Sequence, residues 1–142
     1  MDFNYLADLV FPNVTMTREE LEMIPKMARE IEHERDKIEA MRSRLTSPKG
    51  LDTRDKVQTS GSEISLADVV IDAQQMLDKK EQKLRVYQDD ARILIKHLEG
   101  EEWQLMTLRY VMALEWTDIS RMMNYSPRTI YRMHSRALCA LF

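Results

Sequence analysis

The chain has 142 residues, enough for one ordinary domain or for a small domain carrying an extended helical arm. It is 44% hydrophobic and 32% charged with only 3 Gly and 4 Pro, which favours a helical protein over a β-sandwich or a disordered chain. The net charge of −3 argues against nucleic acid, but its distribution does not: the final 22 residues hold four arginines and no carboxylate, leaving −7 on the first 120.

No stretch approaches the roughly 18 continuous apolar residues of a membrane span, so no membrane partner is expected. No basic-then-apolar leader opens the sequence. The single Cys139 cannot form an internal disulfide, and a cytoplasmic location is the default expectation.

Residues 1–16 place an apolar cluster, Leu6, Leu9, Val10 and Phe11, before Pro12, as a short segment that docks or frays. Thr17 followed by Glu20 has capping-box spacing and opens a helix predicted to reach Leu45. Along it Leu21, Ile24, Ala28, Ile31, Arg35, Ile38, Arg42 and Leu45 form a heptad seam with two arginine interruptions. Pro25 predicts a kink or restart.

Positions 46–62 are rich in Ser, Thr, Gly and Pro and read as a loop. A second seam follows at Leu66, Val70, Ala73, Leu77, Lys80, Leu84, Tyr87, Ala91, Leu94 and Leu98. Two seams joined by one loop predict an antiparallel helical hairpin over 17–98, although the same seams suit pairing with a second copy as a homodimer. Gly100 interrupts the pattern, and three shorter helices are expected at about 101–113, 116–123 and 127–141. The fold class is therefore all-α: an N-terminal docking segment 1–16, a hairpin arm 17–98 and a C-terminal three-helix unit 99–142.

The turn before the last helix carries the strongest local signal. In "MMNYSP", Asn124 suits the left-handed position that closes a helix, and Tyr125 can bury its ring between helices. Ser126 is a strong N-cap, and Pro127 fits the first helical position. Ile119, Met122 and Met123 before the turn face Ile130, Met133, Ala137 and Leu141 after it, as in a helix-turn-helix. Arg128, Arg132 and Arg136 recur every fourth residue on the other side, with Thr129 and Tyr131 near the helix start. Arginine forks match guanine acceptors and phosphates in a major groove. The candidate DNA-binding residues are Ser126, Arg128, Thr129, Tyr131, Arg132, Ser135 and Arg136, with Arg121 on the preceding helix. The plainer reading is a solvated arginine row, and the turn chemistry together with the abrupt loss of acids weighs against it.

The stretch "GEEWQLMTLRYVMALEWTDISRMMNYSPRTIYRMHSRALCAL" resembles region 4 of bacterial sigma factors, anchored by Leu108-Arg109-Tyr110, Ile119 and Arg136-Ala137-Leu138. With "LTSPKG" and "DKVQTS" included, the chain is similar to the sigma-factor-like late transcription regulators of the ArpU type. These belong to phages of Gram-positive bacteria. The resemblance implies a regulator in the cytoplasm of a bacterial host that binds double-stranded DNA and recruits or contacts RNA polymerase. Bases would be read by Arg128 and Arg132, with Pro127 and Tyr131 at neighbouring positions. Pro127 departs from the basic residue common in housekeeping sigma factors, Asn124 replaces the usual Gly, and Glu115 stands where a Ser or Thr cap is typical. The heptad segment 17–98 before region 4 holds a single aromatic, Tyr87, so no promoter-melting unit is expected.

Other chemistry finds little footing. His33, His97 and His134 have no partners at metal-ligand spacing, and neither metal nor cofactor is expected. Asp89-Asp90 and Glu101-Glu102 lack a pocket signature, and no Walker loop or nucleophile elbow occurs, so no enzyme is expected. Trp103, Trp116 and Cys139 are expected in the core, and five methionines of the C-terminal unit serve packing or an adaptable protein-binding surface. The rival reading is a DNA-packaging subunit resembling a phage small terminase. A third is an interaction module that binds no DNA.

Overall fold

A computed structural model describes residues 15–46, 57–59 and 62–142. These residues are almost entirely helical: α1 Arg18–Thr46, α2 Leu66–Ile95, α3 Gly100–Met106, a π-helical segment Thr107–Val111, α4 Trp116–Met123 and α5 Pro127–Leu141. Most of the N-terminal segment 1–16 lies outside the described residues, but Met16 is buried. No helix among the described residues is long and apolar enough to cross a membrane.

The helix starts follow local chemistry. Thr17 Oγ1 accepts the Glu20 N–H at 3.2 Å, and Glu19 and Glu20 sit favourably against the helix dipole. Ser65 does the same for α2, accepting the Asp68 N–H at 3.2 Å. The expected restart at Pro25 does not occur, since α1 runs unbroken through it. The loop expected over 46–62 is corrected in part: Val57–Thr59 (β1) and Ser62–Ile64 (β2) pair antiparallel, Val57 opposite Ile64. Val57, Thr59 and Ile64 are β-branched and favour extended backbone, a preference that a composition count overlooks. The rest of that stretch lies outside the described residues.

The chain divides into two compact units. One spans 27–84, and the other joins the residues up to Lys26 with 85–142. The start of α1 and the end of α2 therefore belong to the unit that holds the C-terminal helices, and Leu21, Ile24, Ala91 and Ile95 are all buried.

In unit 27–84 the core is Ile31, Ile38, Val70 and Leu77, flanked by Met41, Leu45, Ala73 and Leu84. The polar seam positions reach across to the other helix. Arg35 meets Glu81 at 2.8 Å, Arg42 donates to Gln74 at 2.8 Å, and Lys80 binds Glu30 at 2.9 Å and also Glu34.

In the other unit Leu105, Leu108, Ile119, Ile130 and Met133 form a core, with Leu114, Trp116, Met123 and Tyr125 packed against it. Gln88 of α2 donates to the Val111 carbonyl at 2.9 Å. The helix expected at 101–113 is broken by the π-helical segment. There the Met112 N–H reaches the Thr107 carbonyl at 3.0 Å, and Ala113 turns left-handed at φ 55. No Gly or Pro marks this break in the sequence.

Several core expectations fail. Trp103 is 46% exposed, because Leu105, two positions on, takes the buried side of α3. Met112 and Met122 are also exposed, whereas Met106 and Met133 are buried. Cys139 is exposed, seven residues and two turns beyond Arg132 on the same helix face.

Candidate nucleic-acid interface

The site begins with the turn between α4 and α5. Asn124 adopts φ 59, ψ 40, the left-handed conformation that Asn tolerates better than other side chains. The Tyr125 N–H bonds the Ser120 carbonyl at 3.2 Å, while Ser120 Oγ donates back to the Tyr125 carbonyl. The Tyr125 ring packs on the core, and its hydroxyl donates to the Glu101 carboxylate. Ser126 is extended and accepts the Thr129 N–H at 3.3 Å, with Pro127 at the start of α5. Glu115, the N-cap of α4, makes no side-chain capping hydrogen bond.

α5 then divides by face. Ile130, Met133, Ala137 and Leu138 are buried. On the outside, Pro127, Arg128, Tyr131, Arg132, Ser135 and Arg136 line one shallow, open and largely apolar surface. Five of the eight candidate residues thus come together: Arg128, Tyr131, Arg132, Ser135 and Arg136. Ser126 and Thr129 do not join them, since their hydroxyls lie 3.0 Å apart within the cap. Arg121 is exposed on α4 and does not line this surface. No carboxylate lies on α5 or in its turn, so nothing on the helix opposes an anion, and its N-terminal dipole favours one.

Behind this surface lies an aromatic group that sequence reasoning missed. Trp116 packs against Tyr131 with ring centroids 5.4 Å apart at 53°, and meets the His134 ring edge-on at 4.8 Å. The Arg109 guanidinium lies 4.3 Å over the Trp116 ring, and its Nη1 donates to the Leu114 carbonyl at 2.9 Å. Tyr110 hydrogen-bonds His134 Nε2 at 2.7 Å. Burial, reinforced by the Arg109 charge, holds the His134 pKa down to about 4, and burial pushes Tyr110 up to about 12. His134 is therefore neutral near pH 7 and adds no charge to the face. Its spacing, four residues after buried Ile130 and three before Ala137, was a legible sign of this.

Among the described residues no group of His, Cys, Asp or Glu is gathered so that it could hold a metal ion. No family model matches the chain, and no curated protein or solved structure is similar to it.

Proposed function

We propose that this chain is a sequence-specific transcription regulator that binds double-stranded DNA, laying α5 in the major groove. On this reading α4, the Asn124 turn and α5 form the helix-turn-helix. α1 and α2 form a hairpin arm that contacts RNA polymerase or a second copy of the chain. The observation that carries the proposal is the outer face of α5. Arg128, Arg132 and Arg136 stand there together, exposed, on a helix with no carboxylate, in a chain that is acidic elsewhere.

Physical chemistry supports the division of labour. A bidentate arginine distinguishes guanine by its two acceptors, whereas phosphate contacts set affinity and register without reading sequence. Arg128 and Arg132, nearer the helix start, are assigned to bases, and Arg136 to a phosphate. The resemblance to sigma-factor region 4 supports the same assignment, and a phage or prophage origin rests on that resemblance alone.

Selection of duplexes from a random-sequence pool by the full chain tests the proposal. Enrichment of a defined motif supports it, and recovery of unbiased sequence contradicts it. Light scattering on the same preparation separates the packaging alternative, for which a ring of eight or more subunits would be expected.

A further inference from the structure

Tyr131 sits on the arginine face, yet among the described residues it is the one aromatic ring lining it, and it is 51% exposed. It is not a loose surface residue. Its ring rests on Trp116, which the Arg109 guanidinium and the His134 ring hold from other directions. An aromatic ring fixed in this way loses little further freedom on binding, so a contact it makes is not eroded by ordering.

We infer that Tyr131 is a specificity-determining residue that recognises a thymine through its 5-methyl group. The inference rests on the DNA reading above and deepens it. In a duplex the bases show their edges, not their faces, to a helix in the major groove, so Tyr131 cannot stack on one. The apolar group that those edges offer is the thymine methyl. Arg128, Arg132 and Arg136 supply donors for guanine and phosphate, and a thymine methyl offers those donors no acceptor. Tyr131 and Pro127 bring two apolar rings to the shared surface. Thymine and guanine would then be read side by side, one by the ring and one by a neighbouring fork.

The test uses a duplex selected from the random pool by the full chain. Each thymine in it is replaced in turn by deoxyuridine, which deletes the methyl and leaves every hydrogen-bonding group in place. One such replacement is expected to weaken binding about fourfold, the worth of one buried methyl group. Tyr131→Ala should bind the thymine and deoxyuridine duplexes equally, whereas Tyr131→Phe should keep the discrimination because the ring carries it. Circular dichroism melting of both variants shows whether they fold. If no replacement matters, or if Tyr131→Ala discriminates as well as the unaltered chain, the inference fails while the DNA reading stands. If no duplex is bound at all, both fail.

Discussion

The Tyr110 hydroxyl and His134 Nε2 lie 2.7 Å apart, joining the π-helical segment to the inner side of α5. Protonating His134 would put a second positive charge beside Arg109 and convert Nε2 into a donor facing the phenol. The folded pKa, about 4, lies below the ordinary 6.5. Between those values the unfolded chain binds more protons than the folded one, so stability is full above about pH 6.5 and falls toward pH 4. Because the ring is partly exposed, the loss should be on the order of 1 to 2 kcal/mol rather than the full unscreened value. Denaturant melts across this window should show the decline, and His134→Gln should flatten it. An unchanged slope in the variant would show that other groups cause it.

Two non-glycine residues hold left-handed backbone, Ala113 at φ 55 and Asn124 at φ 59. Ala gains nothing from its side chain there, so Ala113→Gly should stabilise the fold by about 0.5–1 kcal/mol. Asn124→Ala should destabilise it by about 1 kcal/mol, while Asn124→Gly should be close to neutral. Urea midpoints compared at constant m-value would measure all three.

Unit 27–84 rests on a small apolar core. Leu77 is 1% exposed in a core of four buried residues, and Leu77→Ala should cost about 2–4 kcal/mol. Limited proteolysis should then cut within 27–84 well before it reaches 99–142. Simultaneous cleavage of both regions would mean that the two units do not unfold separately.

The long helices were legible because heptad spacing survives two arginines and a lysine, each long enough to reach the neighbouring helix. The α4–α5 turn was legible because left-handed backbone, an N-cap and a first-turn proline each select a small set of residues. The β1–β2 pair was missed because its six residues sit among Ser, Thr and Gly. The π-helical segment was missed because it shifts one hydrogen bond without a breaker residue. Cys139 was misassigned because apolar neighbours in sequence are not neighbours in space on a helix; its face is set by Arg132, seven positions earlier. For the candidate site, residue types revealed the arginine face. The Trp116–Tyr131 contact joins positions fifteen residues apart through the turn, which a linear pattern does not show.

Within the proposed interface the arginines should be separable by experiment. Arg132→Ala should reduce the preference for one base pair by about 1–3 kcal/mol and leave affinity for unrelated duplex little changed. Arg136→Ala should weaken all duplexes alike. Quantitative binding to the selected site and to its single-base variants would show the contrast. Equal behaviour of the two variants would remove the assignment of bases to one arginine and phosphate to the other.

The most direct measurement is the affinity of the full chain for duplex DNA as a function of salt concentration, alongside Arg136→Ala. With Arg136 on a phosphate and Arg128 and Arg132 on bases, the log–log slope should have a magnitude of about 1 or more, and the variant should lose about one unit of slope. An acidic chain that fails to bind duplex DNA at low salt, or binds it with a slope untouched by Arg136→Ala, would contradict the proposal that the carboxylate-free face of α5 holds DNA.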